Sequence, residues 1–184
     1  MTGWPVFAPP VIEKAGGQRI GQTLAIMRYL GEQYGLIPDQ QPPINRARCD
    51  QINQTVYDCW GELNTGIRKG FTEELATQRL PKFLRHFEEI LLSNGNGSGL
   101  FVVGRKCTYA DLSLLHVCRL VVEFLPEIWE KENLNLLKGF KARMEQRKNL
   151  INYWKSDRVK PSKESQNTEG AAGQQEDTLS GDTE

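Results

Sequence analysis

The chain has 184 residues, and its 23 Lys and Arg are balanced by 23 Asp and Glu, so the formal net charge is zero. That balance leaves no overall basic excess to draw the protein to nucleic acid or anionic lipid. Hydrophobic residues make up 39% of the chain, which is low for a compact domain, but the average hides a split at residue 162. Residues 162–184 contain no aromatic side chain, a single large aliphatic one (Leu179), and one lysine against six acids. Such an acidic tail cannot bury enough apolar surface to offset chain entropy and is expected to be disordered. Residues 1–161 carry the compensating positive excess and suffice for one ordinary core, or one and a half small ones.

The first twenty residues read as extended. Val6-Phe7, then Val11-Ile12, the turn-forming Ala15-Gly16-Gly17 and Arg19-Ile20 predict a β-hairpin whose Gly-Gly pair supplies the positive φ of a tight turn. From Thr23 the period changes: Leu24, Met27, Leu30 and Tyr34 recur at helical spacing, and Gly35 ends the run before Pro38. Beyond a proline linker, Ile52, Val56, Trp60, Leu63 and Ile67 form the stripe of a long helix ending at Gly70. Leu80, Phe83, Leu84, Phe87, Ile90 and Leu91 mark another, with Pro81 in its first turn or kinking it there. A glycine-rich stretch, Asn94–Gly99, reads as a surface loop.

Ala110–Leu125 is apolar around most of a helical circumference, the mark of a helix at the centre of a bundle. Thr108-Tyr109-Ala110-Asp111 opens it with the spacing of a capping sequence, in which a hydroxyl and a carboxylate satisfy orphan N–H groups. Leu134, Leu137, Phe140 and Met144 predict one more helix, and Leu150, Ile151 and Trp154 a short last one. The plan is an α/β opening followed by about five helices.

Chemistry-bearing motifs are scarce. There is no G-x-G-x-x-G, P-loop, H-E-x-x-H or G-x-S-x-G. His86 and His116 have no metal-ligand spacing, and no metal is expected. Arg143, Arg147, Lys148 and Lys155 read as a solvated helix face, so no nucleic-acid partner is expected. No apolar run of about 18 residues exists to span a membrane, and MTGWPVFAPP lacks the layout of a secretory signal. Cys49 and Cys59 share one helical pattern that sets them about 15 Å apart, too far for a disulfide. With Cys107 and Cys118 also outside any CxxC pair, a reduced, cytoplasmic protein is expected.

Three places remain. In Ala8-Pro9-Pro10 one X–Pro bond is a candidate for the cis form, against an ordinary pair of edge-strand prolines. Gln22-Thr23 opens a helix whose N–H groups face any small carboxylate lying there, against a plain N-cap. Asp58, beside Tyr57, is by default a solvent-exposed acid.

Together these residues resemble the glutathione S-transferase family. Ala8-Pro9-Pro10-Val11, the run Gly21-Gln22-Thr23-Leu24 to Tyr29-Leu30, and Tyr34-Gly35-Leu36 resemble the second half of its thioredoxin-like domain. Gly104 followed by Thr108-Tyr109-Ala110-Asp111-Leu112 is similar to the capping motif of its central helix, and Tyr153–Arg158 to its last helix. The resemblance runs in order over residues 4–160 and implies a mostly α fold. An incomplete thioredoxin-like α/β segment (1–37) precedes an all-helical domain (38–161), with the acidic tail (162–184) outside.

By the same resemblance, the residue before a cis proline pairs through its backbone with the cysteinyl part of glutathione. A proline there has no N–H to donate, which places the expected cis bond at Ala8–Pro9 and the ligand on Ala8. Gln22 and Thr23 match the pair that binds the γ-glutamyl amine and carboxylate. Asp58 matches an acid that reaches the γ-glutamyl group of a neighbouring subunit, and Tyr57 falls where helix residues line the substrate pocket. Thr108 and Asp111 match structural residues. Implied partners are glutathione as co-substrate, a small hydrophobic electrophile and a second copy in a homodimer. The family's opening β-α-β unit, which carries the Tyr, Ser or Cys contacting the glutathione sulfur, does not fit into residues 1–9. The expectation is an N-terminally truncated chain with part of the glutathione site and no catalytic residue of its own. The alternative is a non-catalytic scaffold or interaction module of the same fold.

Overall fold

The computed structural model describes residues 5–38, 43–94 and 99–158. The tail expected to be disordered and positions 95–98 of the glycine-rich loop lie outside the described residues. The chain divides into two compact units, Met1–Arg143 and Met144–Glu184.

The expected hairpin is present. Strand β1 (Val11–Glu13) pairs antiparallel with β2 (Arg19–Gly21), setting Ile12 opposite Ile20. Gly16 and Gly17 take φ of 90° and 77° in the turn, a region open to glycine at no steric penalty. The turn is closed by the Gly17 N–H on the Lys14 carbonyl at 3.1 Å and the Lys14 N–H on the Gln18 carbonyl at 2.9 Å. The Arg19 side chain donates across the hairpin to Glu13 at 2.8 Å.

One expectation is corrected. The cis bond is Pro9–Pro10, one residue later than Ala8–Pro9. The choice of Ala8 assumed that the residue ahead of the cis proline must donate an N–H; that residue is Pro9, which offers only its carbonyl.

Helix α1 (Thr23–Gln33) follows β2 directly and buries only Ile26 and Gly31. Helix α2 (Ile44–Lys69) turns its apolar stripe (Cys49, Ile52, Val56, Cys59, Leu63) inward and ends at Gly70, with φ 96°. It packs chiefly on α4 (Tyr109–Phe124). The apolar circumference of α4 is expressed as burial of Leu114, Leu115, Val117, Cys118 and Val121, as a central helix requires.

Helix α3 (Leu80–Ser93) is entered through a π-helical turn, Leu75–Arg79. Pro81 lacks an N–H and its ring crowds the preceding turn, and the wider turn stands just ahead of it. The short α5 (Pro126–Lys131) was not among the expected helices. Six residues show no period, and only Pro126 at its start and Glu127 in its first turn mark it in the sequence. Helices α6 (Asn135–Glu145) and α7 (Lys148–Trp154) are the last elements among the described residues. The exposed N-terminus of α6 is capped from α3: the Glu88 carboxylate accepts the N–H groups of Leu136 and Leu137 at 2.8 and 2.7 Å. Among the described residues, no helix is long and apolar enough to cross a membrane.

Candidate functional site

The first candidate site lies at the start of α1. Gln22 holds φ 67° and ψ 118°, and no other non-glycine among the described residues has positive φ. A residue with a Cβ occupies this region only against strain of about 1–3 kcal/mol, and such strain concentrates at ligand sites. The Ile26 N–H donates to the Gln22 carbonyl at 3.0 Å, which closes the first turn. The N–H groups of Thr23, Leu24 and Ala25 have no acceptor among the described residues, and no side chain caps the helix. These donors and the positive end of the helix dipole form a ready anion seat.

Beside this turn, Pro5–Ala8 and Arg19–Gln22 enclose a hollow of about 380 Å³. Val6 lies close over Gly21, where an added Cβ would stand 3.1 Å from Val6 Cγ1 and 3.9 Å from the Ala8 carbonyl oxygen. The structure therefore brings Ala8 and Gln22 to one cavity. Pro9 and Thr23 adjoin it in sequence without lining it.

Tyr57 and Asp58 line a different and larger cleft of about 880 Å³, bounded by the C-terminal half of α2, the π-turn and α3. The two cavities have no lining residue in common, so within one chain Asp58 does not meet Gln22. The Tyr57 and Trp60 rings stand 5.2 Å apart, tilted by 31°. Across the cleft Arg79 is paired with Glu62 and lies over the Phe83 ring at 5.3 Å from its centre. Sequence reasoning missed Glu62, Arg79, Phe83 and His86 as cleft residues. The available signal was weak: Phe83 belongs to the expected apolar stripe, and the π-turn that orients Arg79 has no period of its own.

Thr108 and Asp111 occupy the structural position expected of them. Both are fully buried. Asp111 accepts from the N–H groups of Val102 at 2.8 Å and Thr108 at 2.7 Å and from the Thr108 hydroxyl at 2.7 Å. Burial pushes the Asp111 carboxyl up to about 6, against the donors that pull it down. All four cysteines are buried, and none forms a disulfide among the described residues. Burial drives Cys59 up to about 12 and raises Cys49 as well, so neither is an activated nucleophile. Among the described residues no group of His, Cys, Asp and Glu could hold a metal ion.

A family model described as glutathione S-transferase, C-terminal domain, matches residues 54–157. Glutathione S-transferase P 1 of Xenopus laevis is 32% identical over 144 residues, covering 74% of this chain and 63% of its own. Hematopoietic prostaglandin D synthase of Gallus gallus is 30% identical over 120 residues, covering 59% and 56%. The chain thus spans about three fifths of the length of these curated relatives. The Pi-class glutathione S-transferase of Onchocerca volvulus superposes with a TM-score of 0.65 at 27% identity, over 85% of this chain and 69% of its own. A glutathione S-transferase of Necator americanus, described as monomeric, gives 0.69 at 23% identity over 84% and 76%, a likeness of fold alone.

Proposed function

The chain belongs to the glutathione S-transferase family, and on that premise we propose that it binds glutathione at the start of α1. In this reading the free N–H groups at Thr23 and its neighbours, with the Thr23 hydroxyl, hold the γ-glutamyl carboxylate. Gln22 holds the γ-glutamyl amine, and the Ala8–Pro9 segment borders the cysteinyl part. The observation that carries the reading is the backbone of Gln22, held at φ 67° where the uncapped helix begins. Thioredoxin-like and helical parts divide at residues 37 and 38, and the protein is read as cytoplasmic.

Conjugation of glutathione to an electrophile needs a group that stabilises the thiolate. Residues 5–22 hold no Cys, Ser, Tyr or Thr, so that group must come from a segment beyond the glutathione half-site described here. With it supplied, the α2–α3 cleft behind Tyr57 is the seat for a small hydrophobic electrophile. Asp58, exposed and away from its own Gln22 hollow, then serves the γ-glutamyl group of a second copy in a homodimer.

Calorimetric titration of the full chain with glutathione tests this directly. Saturable binding that is lost on Thr23→Ala supports the reading, and absence of any binding overturns it. Turnover of 1-chloro-2,4-dinitrobenzene by the 184-residue chain would show that a residue of this chain beyond the half-site supplies the thiol-activating group. A second reading, a non-catalytic interaction module, is favoured by Phe7 and Tyr34, which are 98% and 75% exposed. Binding of a protein through these side chains with no glutathione binding would select it.

A further inference from the structure

The hairpin and α1 have almost no core of their own, since α1 buries only Ile26 and Gly31. A segment so small does not hold its shape unaided; its order comes from what it rests on. Three contacts join α1 and its C-terminal turn to the helical bundle at one place, the first residue of α4. The Tyr109 N–H donates to the Leu36 carbonyl at 2.9 Å. The Tyr109 ring lies on Gly31, so close that a Cβ there would stand 2.4 Å from Cδ1. The Tyr109 hydroxyl donates to Asp50, whose other carboxylate oxygen meets Arg28 of α1 at 3.1 Å. The Asp50 carboxylate on α2 therefore ties one residue of α1 and one of α4 together.

We propose that Tyr109 and Asp50 are positioning residues: they act through Arg28 and Gly31 to hold the start of α1, with Gln22 and Thr23, in its ligand-competent place. The inference rests on the reading that Gln22 and Thr23 bind glutathione. Arg28 lies five positions beyond Thr23, about 7.5 Å along the helix, so a rigid helix passes a shift at Arg28 to its tip undiminished. Burial and the facing Asp50 raise the Tyr109 hydroxyl above its ordinary range. It therefore stays a proton donor to Asp50. None of these residues lines the Ala8–Gln22 hollow. The effect on a ligand there is one of placement.

The test compares the wild-type full chain with Tyr109→Phe, Asp50→Asn and Asp50→Glu by glutathione titration and by hydrogen exchange of backbone amides, well below the unfolding temperature. Loss of the tie is expected to speed exchange of the α1 amides and to weaken glutathione binding by about tenfold, with α2 and α4 exchanging as before. Asp50→Glu, which keeps the carboxylate, is expected to recover most of both. Faster α1 exchange with unchanged affinity overturns the proposal, and so does unchanged exchange. If the wild-type chain binds no glutathione, the proposed function falls and takes this inference with it. That outcome is distinct from failure of the tie alone, which leaves wild-type binding intact.

Discussion

Asn94 and Gly104 hold each other by two reciprocal hydrogen bonds: the Asn94 side-chain amide donates to the Gly104 carbonyl at 2.8 Å, and the Gly104 N–H donates back to its Oδ1 at 3.1 Å. A third bond runs from the same amide to the Phe101 carbonyl at 2.8 Å. One side chain at the end of α3 thus fastens the loop that leads into α4. Asn94→Ala is expected to destabilise the fold by about 2 kcal/mol, because three partly buried backbone groups lose their partners at once. Asn94→Asp keeps an acceptor for the Gly104 N–H but turns a second oxygen toward two carbonyls, so it should be no better than alanine. Urea denaturation of the three proteins orders them.

The contact between Gly66 and Phe71 makes a second prediction. A Cβ on Gly66 would stand 2.3 Å from the Phe71 ring, closer than any real contact, and the ring folds back on the last turn of α2. Gly66→Ala should cost about 1–3 kcal/mol by displacing the ring. Removing the ring first should abolish most of that penalty. A double-mutant cycle with Phe71→Ala is expected to show coupling, since the two residues touch; additive effects would place the strain elsewhere.

Asp111 gives the fold a pH dependence of definite sign. Its carboxyl titrates at about 6 in the folded protein against an ordinary 3.8, so the folded state holds the proton more tightly. Its contribution to stability is therefore complete below about pH 3.8 and is lost as pH rises through about 6, by roughly 3 kcal/mol. Asp111→Asn should be less stable overall, having lost an acceptor for Thr108, and should lack this fall. Chemical denaturation at pH 4, 5, 6 and 7 reads the difference between the two proteins.

How much of this was legible beforehand depends on the range of the interaction. The hairpin, α1 and the stripes of α2, α3 and α4 are written in local period and in glycine positions, and the Thr108–Asp111 cap in a three-residue spacing. Glu88 capping α6 is not legible, because its partners are backbone groups 48 and 49 residues away. The Tyr109–Asp50 tie is hidden for the same reason: Tyr109 reads as one of the capping residues and Asp50 as an ordinary helix acid. The place of the cis bond was missed because the reading required an N–H donor ahead of the cis proline, and Pro9 has none. Gln22 was picked out as the opening of a helix and by the resemblance, whereas the structure singles it out by its positive φ, which no residue type announces.

That backbone supports the last prediction. Gln22 is the one described non-glycine at positive φ, and a Cβ there carries about 1–3 kcal/mol of strain. Gln22→Gly removes the strain but gives back about 0.5–1 kcal/mol in unfolded-chain entropy, so the variant should be between as stable as the wild type and about 2.5 kcal/mol more so. Gln22→Ala keeps the Cβ and the strain and should match wild-type stability within about 0.5 kcal/mol. Both lack the side-chain amide, so both should lose glutathione affinity, and by similar factors. Strain kept solely for folding predicts the opposite pattern, in which glycine leaves affinity untouched. Thermal unfolding paired with calorimetric titration of the two variants separates the cases: gain of stability with loss of binding marks Gln22 as a ligand residue, and retained binding in both variants removes it from the site.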